Sequence, residues 1–344
     1  MKRLRLKLTA LIAAIGLLLT GCALRGTERK QYQATFLTLF DTVTYISGLA
    51  DSQEDFSVLA QEIHDELLIY HRLFDIYHEY DGINNLKTVN DMAGIAPVQV
   101  DGEIIRLLTD CRDYYELTGH RVNIAMGSVL SLWHEARTAG LDDPASAALP
   151  DPYSLEEAGR HTSWDDVILD PQASTVFLTD PELRLDVGAV AKGWSVQQVA
   201  LKAPEGLLIS VGGNVCATGP KDASGTPWVV GITDPDGGSE YLHTLNITDQ
   251  AVVTSGDYQR YYVVDGKVYH HIIDPNTLFP GEQWRAVTVV CPDSGLADAL
   301  STALFLMPRE EGQQLLEQCG AVAMWMDAEG NLFYSPGFED LIRT

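Results

Sequence analysis

Two stretches of the chain carry side chains suited to chemistry. The first, Tyr269-His270-His271-Ile272-Ile273-Asp274-Pro275, sets two imidazoles and a carboxylate at the end of an apolar run. The second, Ala297-Asp298-Ala299-Leu300-Ser301-Thr302, sets a carboxylate and two hydroxyls on one turn of an expected helix. Neighbouring residues on a strand face opposite sides, so one imidazole of the pair can enter a site; His271 is the candidate base, its ordinary pKa lying near neutrality. Asp298, Ser301 and Thr302, at i, i+3 and i+4, share a helix face, and such hard oxygens suit Mg2+, which keeps other positions for water or phosphate. A base beside a hard cation is the pairing that phosphoryl transfer needs. Each stretch also has a plainer reading: a structural histidine, and a capping or exposed polar face.

Three small-residue turns lie upstream. Leu185-Asp186-Val187-Gly188-Ala189-Val190-Ala191-Lys192-Gly193-Trp194 reads as a strand entering a helix through residues that let backbone approach a ligand, and a helix N-terminus attracts anions. Its spacing fits neither a Walker loop nor a dinucleotide fingerprint. Gly212-Gly213 after a strand can wrap a ligand or form a bulge. Thr254-Ser255-Gly256-Asp257-Tyr258 places hydroxyls and an acid at a strand end, with Arg260 nearby.

The elements that must position these groups follow from periodicity. Residues 34–49, rich in β-branched and aromatic types, predict a long strand or strand pair. Over Gln53–Phe74, Phe56, Leu59, Ile63, Leu67 and Tyr70 recur at helical spacing. Further helices are expected over Glu103–Thr118, Ile124–Arg137, Lys192–Leu201, Leu296–Leu306 and Glu310–Gln318. Strands are expected at Val167–Asp170, Val176–Leu178, Leu183–Val187, Gly206–Val211, Trp228–Ile232, Leu242–Ile247, Ala251–Ser255, Ala286–Val290 and Val322–Met326. Asp265-Gly266 turns a Tyr-rich hairpin over Tyr258–His271. The result is a mixed α/β (α+β) body without a clean linker.

With 344 residues, 46% of them hydrophobic, the chain can bury a large core. A net charge of −25 argues against nucleic acid as a partner, because a phosphate backbone would be repelled. An anionic small ligand then requires a metal or another local positive charge. Lys2, Arg3, Arg5 and Lys7 precede an apolar stretch over 8–19 that ends in Leu19-Thr20-Gly21-Cys22. That is a signal peptide, too short in its apolar core for a comfortable span. Its end resembles a bacterial lipobox, in which Cys22 becomes the lipidated first residue. Losing residues 1–21 removes four positive and no negative charges, taking −25 to −29. The expected layout is a signal over 1–21, lipidated Cys22 and a polar tether over 22–33, and one functional domain over 34–344. Cys111, Cys216, Cys291 and Cys319 form no CxxC pair and match no zinc spacing.

Taken in order, Asp186-Val187-Gly188-Ala189-Val190-Ala191-Lys192-Gly193, Gly212-Gly213-Asn214-Val215, Thr254-Ser255-Gly256-Asp257-Tyr258, His271-Ile272-Ile273-Asp274-Pro275 and Ala297-Asp298-Ala299-Leu300-Ser301-Thr302 resemble the ApbE family. These are the FAD:protein FMN transferases, often exported bacterial lipoproteins. The similarity runs from about Phe40 to Tyr334, essentially the whole expected mature chain.

The resemblance implies that family's fold, a compact unit with FAD in a cleft between packed lobes. It also implies Mg2+-dependent cleavage of the FAD pyrophosphate. AMP would leave, and FMN would be joined through its phosphate to a Thr or Ser hydroxyl of an acceptor flavoprotein. By motif, Asp298, Ser301, Thr302 and the Ala189 carbonyl would surround the metal. Asp186, Lys192 and Ile273 would contact FAD, and His271 would be the base, with Asp257 as the alternative. Phe40 takes a flavin-contacting Met position, and Tyr77 an aromatic one. Ala125, Met126 and Gly127 match a cofactor-contacting segment, although Asn123 and Ala125 replace the usual acid and hydroxyl. Leu278 stands where a Gly is usual. Two rival readings are a FAD pyrophosphatase releasing FMN and AMP, and a lipoprotein that binds FAD without chemistry. The resemblance places the protein on the outer face of a membrane, held by its lipid.

Overall fold

Every residue of the strand Ala286–Cys291 is buried, and its alternation explains the layers on either side. Val287, Val289 and Cys291 pack into a large core beneath helices, whereas Val290 packs into a second core on the opposite face. In the computed structural model, which describes residues 29–238 and 240–344, this strand belongs to an eight-stranded sheet. The expected signal segment and Cys22 lie outside the described residues.

The sheet runs in chain order: Lys30–Phe36, Thr44–Ala50, Leu207–Val211, Asn214–Ala217, Ala251–Gly256, Ala286–Cys291, Val322–Met326 and Leu332–Tyr334. Every neighbouring pair is antiparallel. Helices Gln53–Phe74, Ala191–Ala200 and Ser294–Phe305 pack on or beside one face. On the other, the hairpin Trp228–Thr233/Tyr241–Ile247 buries Trp228, Val230 and Leu245 against Val252, Met324 and Phe338. A third cluster joins helix Gly127–Asp142 to the hairpin Tyr261–Val264/Lys267–His270 through Val129, Trp133, Tyr262 and Ile273.

Helix Gln53–Phe74 starts where Ser52 Oγ accepts the Asp55 N–H at 3.1 Å, and Ser294–Phe305 where Asp293 accepts the Leu296 N–H at 2.8 Å. The segment 34–49 takes the strand-pair form of its two expected ones, around a turn in which Phe40 and Asp41 both take φ 52°. Two sequence expectations shift. The helix expected from Ile124 begins at Gly127, because the preceding loop is held by the chain beside it. Asp186 N–H donates to Ile124 O and Gly127 N–H to Arg184 O, each at 2.8 Å. Leu183–Val187 is not a strand. The Asn90 side chain takes both backbone groups of Leu185, at 2.7 and 2.9 Å, doing the work of a sheet neighbour.

Candidate active site

The helix Ala191–Ala200 crosses Ser294–Phe305 at Gly193. A Cβ there would lie 2.4 Å from Ser294 O and 2.5 Å from the Asp298 Cβ, so only hydrogen fits. The close approach lets Gly193 N–H donate to Asp298 Oδ2 at 2.8 Å and brings Lys192 Nζ to 3.9 Å from the same oxygen. Gly193→Ala is expected to cost about 1–3 kcal/mol by overpacking. Urea unfolding would measure it; an unchanged midpoint would contradict the crossing described.

Gly212-Gly213 forms the two-residue turn between Leu207–Val211 and Asn214–Ala217, with φ 58° and 92°. It is a hairpin turn rather than a bulge, and Gly212 faces the same opening as Lys192. Together these elements wall a cleft of about 1070 Å3, near the top of the range of roughly 300–1,000 Å3 usual for small-molecule sites.

Of the residues singled out in the sequence, Phe40, Tyr77, Met126, Asp186, Ala189, Lys192, His271, Ile273, Asp298 and Thr302 line this cleft. Four others do not. Ala125 is fully buried, its N–H donating to Asn123 Oδ1 at 2.9 Å. At Gly127 a Cβ would meet Arg184 O at 2.5 Å, so this residue serves the packing of the loop. Ser301 is fully buried: its hydroxyl donates to Asp298 O at 2.9 Å and pairs with Ser255 Oγ at 2.8 Å. Its side chain is turned into the core, away from the face Asp298 shares with Thr302. Asp257 lines a separate cavity of about 280 Å3 and lies 3.7 Å from Arg285 Nε. Burial pushes its carboxyl up, with Arg285 acting the other way.

The two histidines divide their tasks. His270 is buried; its Nε2–H donates to Gly281 O at 2.8 Å and its Nδ1 accepts the Ile272 N–H at 3.2 Å. Both nitrogens are thereby used within the fold. His271 Nδ1 lies 3.2 Å from Arg260 O, and a carbonyl can only accept, so Nδ1 carries the proton and Nε2 is left as the acceptor. Its ring is exposed to the water of the cleft, with the cleft walls around it. Desolvation by those walls, followed by the charge of Arg260 and the neighbouring His270, Lys192 and Arg137, pushes it down to about 3. The near-neutral base expected from the sequence is therefore a neutral imidazole in a positive field.

Asp298 is almost fully buried, and burial pushes its carboxyl up despite nearby Lys192. The side chain of Asn214 lies against this carboxylate and, with the Gly193 N–H, favours its charged form. No three His, Cys, Asp or Glu side chains converge on a metal among the described residues. A cation here would rest on Asp298 with neutral oxygens such as Thr302 Oγ1 and Ala189 O, a donor set that suits Mg2+.

Sequence reasoning missed several cleft residues. Asp75 Oδ1 accepts the N–H groups of Tyr77 and His78 at 2.7 and 3.1 Å, while Oδ2 takes Tyr80 Oη–H and His78 Nδ1 at 2.7 and 3.0 Å. One carboxylate thus ties down the loop that carries Tyr77, whose ring meets His134 with centroids 5.5 Å apart. An Asp after a helix, followed by aromatics, was the available signal. Arg137 and His134 lie on a helix whose periodicity gives no sign of the cleft.

Fold and cleft define a helix-and-antiparallel-sheet protein with an anion-attracting pocket walled by aromatic rings, a proton acceptor and a carboxylate fit for a cation. The chain belongs to the ApbE family, whose model matches residues 39–326. It is 36% identical over 278 residues to a FAD:protein FMN transferase of Treponema pallidum, covering 75% of each chain. It is 31% identical over 268 residues to one of Klebsiella pneumoniae, covering 74% of this chain and 80% of the relative. The crystal structure of the ApbE protein from Thermotoga maritima superposes with a TM-score of 0.79 at 29% identity, over 92% of this chain and 100% of that one.

Proposed function

We propose that this enzyme transfers FMN from FAD to a Thr or Ser hydroxyl of an acceptor flavoprotein. The acceptor oxygen forms a bond to the FMN phosphorus, the P–O bond to the AMP side breaks, and AMP leaves with the bridging oxygen. The observation that carries this reading is the convergence of His271, Lys192, Asp298 and Thr302 on one cleft large enough for a dinucleotide. The relatives' shared activity supports it. Geometry favours His271 over Asp257 as the base, because Asp257 opens on the smaller cavity.

His271 Nε2 takes the hydroxyl proton while the Arg260 carbonyl holds the ring. Lys192, from the first turn of its helix, offsets charge on the leaving phosphate. Asp298, Thr302 and the Ala189 carbonyl would hold Mg2+. The metal, when bound, supplies Lewis-acid charge neutralisation at the phosphate oxygens. Phe40, Tyr77 and Ile273 offer apolar surface to the isoalloxazine and adenine rings, and Met126 adds a polarizable side chain.

Asp75→Ala is expected to raise KM for FAD roughly 10-fold with a smaller change in kcat, since it frees the Tyr77 loop without touching the reacting groups. Steady-state kinetics would check the split; a kcat loss alone would contradict it. Lipidation of Cys22 would hold the enzyme at the outer face of a membrane. Among the described residues no helix is long and apolar enough to cross one. A Cys22→Ala chain is expected to leave the membrane fraction, and retention there would count against the anchor.

The direct test incubates the full chain in detergent with FAD, Mg2+ and a Thr-bearing flavoprotein domain, and weighs the acceptor by mass spectrometry. A gain of one FMN, lost without metal, is expected. Free FMN and AMP with an unmodified acceptor would replace this reading by FAD hydrolysis.

A further inference from the structure

Two arginines in the cleft are without a carboxylate. Arg137, on helix Gly127–Asp142, and Arg260, entering the strand Tyr261–Val264, both line it. Among the described residues neither forms an ion pair, whereas Arg106, Arg121, Arg160 and Arg285 each hold an acid. In a chain with 48 acidic and 23 basic residues, two guanidiniums that line one cleft without an acid are placed to meet an anion. Among the acids that line the cleft, Asp75 is saturated by its own loop, Glu79 lies 3.8 Å from Lys87, and Asp298 accepts the Gly193 N–H beside Lys192. Asp186 accepts the Gly188 N–H and feels the charge of Arg260 without forming an ion pair with it. Burial and the charge of Arg260 push Arg137 down, in keeping with two cations facing one space.

The supports of both arginines are rigid and shared. Trp133 stacks on Tyr269 with centroids 6.1 Å apart, and Gly140 lies against Tyr262, so helix and hairpin form one packed wall. Arg137 Nη2 approaches His134 Nδ1 at 3.3 Å, and the main chain of Arg260 holds His271.

We propose that Arg137 and Arg260 form a two-guanidinium receptor for the phosphate oxygens of the bound flavin nucleotide. This rests on the reading of the cleft as a FAD site, and it assigns the phosphates to residues that no motif marked. Each planar fork matches two non-bridging oxygens. Lys192 lies 3.9 Å from Asp298 and the Arg260 carbonyl holds His271, so a phosphate held by the arginines would share the cleft with both that pair and the Nε2 acceptor. Arg260 then serves twice, its carbonyl orienting the base and its side chain anchoring the group the base serves.

The test is flavin-fluorescence titration of the full chain without metal, so that nothing turns over, using riboflavin, FMN and FAD as probes. Arg137→Gln and Arg260→Gln are each expected to weaken FMN and FAD binding roughly 10- to 100-fold, the scale of charge-assisted hydrogen bonds. Riboflavin, which has no phosphate, is expected to bind within twofold of the unaltered chain, and this doubles as the check that the cleft is folded. Inorganic pyrophosphate should displace FAD from the unaltered chain and lose that ability in the variants. Arg260→Lys should recover only part of the loss. Unchanged FMN and FAD affinity overturns the proposal, as does a parallel fall for riboflavin. Transfer by the unaltered chain is scored separately. Transfer with normal binding by the variants refutes the receptor alone, and phosphate-dependent binding without transfer refutes the transferase reading alone.

Discussion

In an Asp298→Asn chain, FMN transfer is expected to fall roughly 10²- to 10³-fold, the scale on which one preorganised electrostatic group matters. The metal-free protein should melt no lower than the unaltered one. Asn keeps the size and the acceptor for the Gly193 N–H, but removes a charge that burial disfavours. The sign follows from proton linkage. A carboxyl whose folded pKa is raised binds protons more readily in the native state, so stability falls as pH rises from about 4 through the raised value, then levels. Asp298→Asn should flatten that slope. Magnesium should stabilise the unaltered chain at neutral pH and leave the variant unmoved. Thermal melts over pH 4–8, with and without Mg2+, decide this together with the transfer assay. A variant that transfers at full rate, or unaltered melting by magnesium in the parent, would remove Asp298 from the metal site.

The second large effect concerns His271. Replacing it by Gln is expected to slow transfer roughly 10²- to 10⁴-fold, the usual range for a positioned proton acceptor. In the unaltered chain, kcat/KM for FAD reports the free enzyme, where the imidazole is pushed down to about 3. Its acid limb should therefore lie well below pH 5 rather than near 6.5. Arg260→Gln should move the limb upward by removing the leading charge. An acid limb centred near 6.5 in the unaltered chain, or full activity in His271→Gln, would take the base role away from this residue. Stability carries the same sign information. His71, His243 and His270 are also pushed down, chiefly by burial. The unfolded chain thus takes up protons before the native one as pH falls below about 6.5, and stability is lost across that window.

Local signals were legible where local physics decides. The apolar face of Gln53–Phe74, the Asp265-Gly266 turn and the strand at Ala286–Val290 all appear as expected because each is set by residues within a few positions. Leu183–Val187 read as a strand because its pattern is one, but its pairing partner is the side chain of Asn90, about 95 residues away. The spacing of Asp298, Ser301 and Thr302 placed three oxygens on one turn, yet Ser301 lies just far enough round to meet Ser255. Asp257 lies in one of the motifs and lines the smaller cavity. His271 could be named, but its lowered basicity depends first on desolvation by the cleft walls and then on Arg260, which only the folded chain brings to it. The family resemblance supplied the chemistry that no spacing could.

One feature of the sheet bears on how the molecule is assembled. Its strands follow chain order, but Thr44–Ala50 and Leu207–Val211, paired in register from Gly48↔Leu207, are separated by the whole helical half of the protein. That excursion of roughly 150 residues carries a closure cost of about 4 kcal/mol, rising only slowly with length. Zippering of the later strands needs no such closure, so they can pair first and offer an edge to Thr44–Ala50. The cleft opens at this seam, with Thr42 and Gly212 on its wall. A ligand that binds only the closed seam adds its binding free energy to the stability of that join.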